Sequence, residues 1–132
     1  MSSDYVVAID QGTTSTTVLV VDRSSNIVGA GTANVVQSYP YPGWVEHDPN
    51  QLWETVLTAT NDALCSAQTR DNNVVGKIAA IGIANQRETT ILWERTTGRP
   101  VAPAIVWQCR RTSDNCEQLR LAGLGPLFRE RT

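Results

Sequence analysis

Two short stretches gather side chains able to do chemistry. The first is Ile9-Asp-Gln-Gly-Thr-Thr-Ser-Thr16, set between the apolar runs Tyr5–Ile9 and Val18–Val21. That placement predicts the turn of a β-hairpin. Asp10 supplies the carboxylate oxygen that a hydrated Mg2+ prefers. Gly12 lets backbone N–H groups turn inward, and with the hydroxyl run Thr13 to Thr17 those amides make an anion cradle. Such a turn suits the phosphates of a nucleoside triphosphate, although many hairpin turns carry Gly and Thr for conformational reasons alone.

The second stretch is Asn85-Gln86-Arg87-Glu88, directly after the apolar run Ile78–Ala84. Ligands in open α/β sheets gather beyond the carboxyl ends of strands. Arg87 offers a rigid fork of donors and Glu88 offers acceptors only. Side by side they suit a small polyol, whose hydroxyls each donate and accept. The competing reading is a surface ion pair of little energetic consequence. Trp107 ends another apolar run and serves either as an apolar wall for a ligand's carbon chain or as a core residue. Composition favours the core, and Trp44, Trp53 and Trp93 are expected to be structural. His47 lies in a loop between Glu46 and Asp48, but working triads are assembled from distant segments. Ser15 lacks both a base and the strand–elbow–helix setting of a covalent nucleophile.

The elements that must position these groups follow from pattern. Tyr5–Ile9, Thr16–Asp22 and Ile27–Val36 read as strands of an antiparallel meander, with Arg23-Ser-Ser-Asn26 as a turn. After the irregular Gln37–Trp44, Asp48 reads as a helix N-cap, Pro49 as the first helical residue and Gln51 as a capping-box partner. Trp53, Val56, Leu57, Thr60, Leu64 and Ala67 fall on one helical face, and the helix is expected to run to about Arg70. Ile78–Ala84 reads as a buried strand covered on both faces. Thr89–Trp93 and Ala104–Trp107 read as strands joined by a turn at Thr96–Gly98. A last helix is predicted from near Thr112 or Ser113 to Gly123. The fold class is α/β, a mixed sheet with helices packed on it, unlike the alternating pattern of a dinucleotide-binding fold.

The 132 residues amount to one domain, with 41% hydrophobic and 18% charged residues. A net charge of −2 gives no electrostatic footprint for nucleic acid. The start, Met-Ser-Ser-Asp, carries no secretory pattern, and the apolar runs are too short to span a bilayer. Cys65, Cys109 and Cys116 lack a CxxC spacing and have a single histidine for company, so reduced thiols in a cytoplasmic protein are expected rather than a zinc site.

The motifs together resemble the FGGY carbohydrate kinase family. They are Asp10-Gln-Gly-Thr-Thr-Ser-Thr16, Pro42-Gly-Trp-Val-Glu-His-Asp-Pro49, Ile81-Gly-Ile-Ala-Asn-Gln-Arg-Glu-Thr-Thr90 and Ala104-Ile-Val-Trp-Gln-Cys-Arg-Arg-Thr112. They cover nearly the whole chain in the family's order, and the last two point to its glycerol kinase branch. The resemblance implies a partial ribonuclease-H-like (actin-like ATPase) domain, with residues 1–132 as the amino-terminal part of the first kinase domain and the second domain absent. It implies ATP with Mg2+ as cofactors, glycerol as substrate and phosphoryl transfer giving glycerol 3-phosphate. By the same resemblance Thr13, Thr14 and Ser15 contact nucleotide phosphates and Asp10 lies near Mg2+. Arg87 and Glu88 bind glycerol hydroxyls, and Trp107 lies against its carbon backbone. Full-length members are expected to be homo-oligomeric.

Two departures qualify this. Thr17, counted with the phosphate-binding residues, stands where the family commonly has arginine, and it cannot replace that charge. The chain also stops at Thr132, whereas the family's general-base aspartate, a tyrosine of the glycerol site and most of the adenosine pocket come later. The isolated chain is therefore expected to be inactive. The alternatives are another FGGY kinase acting on a different polyol or sugar, and a non-catalytic binding or assembly protein derived by truncation.

Overall fold

A computed structural model describes residues 4–131. Met1 to Ser3 and Thr132 lie outside them, and with them most of the segment read above for a secretory signal. Three strands, β1 (Tyr5–Gln11), β2 (Ser15–Asp22) and β3 (Ile27–Asn34), form the expected antiparallel meander. Asp22 closes the second turn, its carboxylate accepting from the N–H groups of Ser24 and Asn26. The helix α1 (Pro49–Gln68) then carries the chain back to β5 (Ile78–Asn85), which pairs in parallel with β1. The sheet order is β3-β2-β1-β5. A second, minimal sheet pairs β4 (Glu46–His47) with β6 (Ala104–Ile105). Two helices, α2 (Ser113–Leu121) and α3 (Gly125–Arg131), complete the described chain.

The start of α1 follows the sequence in part. The Asp48 carboxylate accepts from the Asn50 N–H at 2.9 Å and Pro49 takes the first helical position. Gln51 does not close a capping box. Its Oε1 instead accepts from the N–H of Val36 at 3.1 Å, tying the helix to the chain leaving β3.

The buried face of α1 differs in part from the expected one. Leu52, Thr55, Ala59, Ala63 and Ala67 face the sheet, whereas Trp53 and Leu57 are exposed. The reason lies on β3. A Cβ at Gly29 would sit 2.2 Å from the Ala63 carbonyl oxygen, and one at Gly31 would sit 2.2 Å from that of Ala59. Helix and strand backbones touch there, so only small residues fit between them; Trp53 and Leu57 are turned outward, whereas Ala67 is buried as expected and Val56 and Leu64 pack against the side of the core. The core is thus Val7, Ile9, Val18 and Val20 against this alanine row and Val74.

β5 is the main correction. It was expected to be buried on both faces, yet it is the edge of the sheet, with Ile81 and Ile83 largely exposed. α1 lies over β2 and β3 and reaches little of β1, so nothing among the described residues covers this side of the sheet. The two strands predicted after it also shrink. Thr90 makes only an isolated bridge to Ile105, Trp93 one to Pro100, and β6 has two residues. The final helix ends at Leu121 rather than Gly123, and α3 follows it unannounced by any pattern identified above.

Candidate functional site

The first hairpin forms as expected. Its turn is closed by a hydrogen bond from the Gly12 N–H to the Ser15 carbonyl at 2.9 Å, and Val35 N–H bonds the Thr14 carbonyl. Residues alternate sides along β2, and this sorts the hydroxyl run. Thr16 turns inward and is fully buried, its hydroxyl 2.7 Å from that of Thr55 on α1. It is a fastening of the hairpin to the helix and is lost to any phosphate cradle. Ser15 and Thr17 lie on the opposite face. Thr17 pairs across the ladder with Asp10, and Asp10 is exposed. Asp10, Thr17, Ala8, Leu19, Gly82 and Ala84 line a shallow depression of about 550 Å³ on the helix-free face.

An exposed carboxylate at the floor of an open depression fits a Mg2+ ion that keeps most of its water and takes its other ligands from phosphates. Among the described residues no three His, Cys, Asp or Glu side chains cluster as a protein cage for a metal.

Trp107 is brought to this hairpin. It is exposed, contrary to the core placement that composition favoured, and its indole N–H donates to the Thr13 hydroxyl at 3.0 Å. The contact spans 94 residues of sequence. It is held by a polar zipper that sequence reasoning missed. Arg111 donates to Glu46 at 2.6 Å and to the Cys109 thiol at 2.9 Å, and its guanidinium lies 3.7 Å over the Trp44 ring. Gln37 donates to Gln108 at 2.9 Å, and the Arg110 N–H bonds the Gly43 carbonyl at 2.7 Å. These bonds clamp residues 104–111 onto residues 37–47 and so set where Trp107 projects. Burial pushes the Cys109 thiol up, but backbone N–H groups and the Arg111 guanidinium outweigh it and leave the thiol lowered.

Arg87 and Glu88 follow β5 and are both exposed. Glu88 has φ 54°, a left-handed conformation that an ordinary residue adopts at some cost. It lines a cavity of about 410 Å³ with Thr90, Leu92, Ala102, Pro103 and Ile105. Trp107 lines a different one, with Cys109, Arg110 and residues of α2.

The residue before this pair is unexpectedly buried. Gln86 is 8% exposed and its Nε2 lies 3.2 Å from Nδ1 of His47, itself 1% exposed. His47 is therefore neither in a loop nor at the surface; it belongs to β4. Burial lowers its pKa from the ordinary histidine value. The backbone N–H of Gln86 also bonds the carbonyl of Gln11, the last residue of β1, at 2.8 Å. Nothing in the pattern around His47 signals this, because its partner lies 39 residues away.

With this geometry established, comparison with known proteins identifies the family. Residues 5–132 match the N-terminal domain of the FGGY family of carbohydrate kinases. The chain belongs to that family. The glycerol kinase of Shewanella sp. (strain MR-4) is 51% identical over all 132 residues, which correspond to 26% of that protein. The glycerol kinase of Desulfitobacterium hafniense is 48% identical over 128 residues, 97% of this chain and 25% of the relative. The chain thus spans about a quarter of the length of these curated relatives. Among solved structures, a Plasmodium falciparum glycerol kinase with ADP superimposes with a TM-score of 0.73 at 34% identity, covering 89% of this chain and 23% of that one. A xylulose kinase from Rhodospirillum rubrum gives a TM-score of 0.77 at 25% identity, with the same coverage of 89% and 23%. The mixed sheet and its helices are accordingly a portion of the actin-like ATPase fold of the FGGY kinases. No helix among the described residues is long and apolar enough to cross a membrane.

Proposed function

We propose that this chain is the amino-terminal part of the first domain of an ATP-dependent glycerol kinase. The observation that carries the reading is the hydrogen bond from Trp107 to Thr13, which joins the residue read here as a polyol wall to the turn read here as a phosphate cradle. Phosphoryl transfer needs that adjacency, because it depends on positioning and charge stabilisation more than on covalent chemistry by the protein.

In this reading Thr13, Thr14 and Ser15 bind nucleotide phosphates through hydroxyls and the N–H groups of the turn. Asp10 would hold a hydrated Mg2+, which would supply positive charge to neutralise the phosphates. Arg87 donates to glycerol hydroxyls, Glu88 accepts from them, and Trp107 packs against the carbon chain. The aspartate that would take the hydroxyl proton belongs to later sequence, as does the second domain. The full-length protein is cytoplasmic and homo-oligomeric in the same reading. Similarity to glycerol kinases along the whole chain favours glycerol over another polyol. Thr17, in place of a phosphate-binding arginine, is the one feature that favours a non-catalytic descendant.

A coupled ADP-release assay tests this in two proteins: the 132-residue chain, and the Shewanella kinase with these residues in place of its own first quarter. The chimera is expected to turn over with glycerol and the short chain is not. A chimera that uses another polyol but not glycerol would reassign the substrate. An inactive but folded chimera would support the non-catalytic descendant, and turnover by the short chain would overturn the proposed division of the site.

A further inference from the structure

The kinase reading uses Arg87 and Glu88 but says nothing of what holds them. Both are exposed, they follow an uncovered edge strand, and Glu88 sits in a left-handed conformation. On the far side the chain is tethered only by the isolated bridge from Thr90 to Ile105, and little packing fixes the two exposed side chains. The residue before them supplies the anchorage. Gln86 is anchored twice, by its backbone N–H to Gln11 at 2.8 Å and by its side chain to His47 at 3.2 Å.

These anchors have different consequences. The backbone bond ends the ladder between β1 and β5 and joins Gln86 to the residue just before Gly12 of the phosphate hairpin. The side-chain bond fixes the rotation of the chain about that point, because it ties Gln86 to a separate element, β4, which the Arg111–Glu46 pair also braces. His47 can accept from the Gln86 amide only through an unprotonated Nδ1, so its remaining proton sits on Nε2. Nε2 of His47 and Oε1 of Gln86 have no hydrogen-bond partner among the described residues. A buried polar pair with unsatisfied atoms is a costly way merely to fill a core. Two apolar side chains of similar volume would serve packing better.

We propose that His47, acting through Gln86, is a positioning residue for the polyol-binding pair. It holds Arg87 and Glu88 in register with the phosphate hairpin. The inference rests on the kinase reading for the word polyol, but the mechanical coupling from β4 to residues 87–88 does not depend on it.

The test uses the chimeric kinase in three forms: unaltered, His47→Phe and His47→Asn. Phenylalanine fills the space without an acceptor, and asparagine returns an oxygen near the place of Nδ1. His47→Phe is expected to raise KM for glycerol about tenfold, the scale of one lost buried hydrogen bond, while KM for ATP changes less than about twofold. His47→Asn is expected to recover most of the loss. Hydrogen exchange followed by mass spectrometry gives a readout independent of turnover. The segment around residues 85–89 should exchange faster in His47→Phe than in the other two forms, with α1 unchanged. If the unaltered chimera does not phosphorylate glycerol, the kinase reading fails and hydrogen exchange alone decides the coupling. Equal rises in both KM values without rescue, or unchanged exchange at residues 85–89, would overturn the proposal.

Discussion

Thr17 stands opposite Asp10 on the β1–β2 ladder, so its side chain shares the open face with that carboxylate. It offers a hydroxyl where a fixed positive charge would complement phosphate, and charge-assisted bonds are roughly twice as strong as neutral ones. Thr17→Arg in the chimeric kinase is expected to tighten ADP binding by about tenfold, measured by titration calorimetry. An unchanged dissociation constant would show that the new guanidinium pairs with Asp10 instead. His47 governs a different property. Burial lowers its pKa, so in the fold it takes up a proton only at lower pH than in the unfolded chain, whose ordinary value is 6.5. The unfolded state then binds more protons, and stability falls as pH drops through and below that value. Thermal melts from pH 7.5 to 5 should show this slope, and His47→Asn should flatten it. Asp22 and Asp71 are held below the ordinary carboxylate range by Asn26 and Lys77 respectively. Their contribution is lost only in more acid solution, outside that window.

At the scale of elements, the contact of α1 with β3 decides the core. Gly31 has no room for a Cβ, because the nearest atom is backbone and cannot swing aside. Gly31→Ala should therefore destabilise the fold by about 3 kcal/mol, at the upper end of ordinary overpacking, while Trp53→Ala on the exposed face should cost far less. Equal melting temperatures for the two variants would contradict the packing described. This contact also explains why the helix was legible and its buried face only partly so. Asp48-Pro49 marks the start through local hydrogen bonding and a fixed φ, both properties of adjacent residues. Trp53 and Leu57 look like core because hydrophobicity is counted by size, whereas the gap opposite Gly29 and Gly31 admits only alanine. Similarly, Gln51 follows the capping-box spacing, but its side chain accepts instead from the N–H of Val36, just beyond the end of β3.

The molecule as a whole leaves β5 and the helix-free face of the sheet open. Ile81, Ile83 and Val6 are exposed, and the outer rim of β5 pairs with no other strand of the described sheet. An uncovered apolar edge invites pairing with another chain. The 132-residue chain is expected to self-associate at micromolar concentration in sedimentation velocity, and a monodisperse monomer with a sharp thermal transition would refute this.

The sequence by itself determined the meander, the hairpin turn at Gly12, the start of α1 and the family to which the chain belongs. Each rests on neighbours in sequence: alternation along a strand, a glycine at a bend, a carboxylate before a proline, motifs of seven to ten consecutive residues. It also named the residues on which the proposed site is built. Only the tertiary structure decided which of them meet. Thr16 left the hydroxyl run for the core because alternate residues of β2 face opposite sides. Trp107 reached Thr13, and Gln86 reached His47, across 94 and 39 residues. Those contacts are set by how separate segments pack, and no local pattern encodes the distance between them.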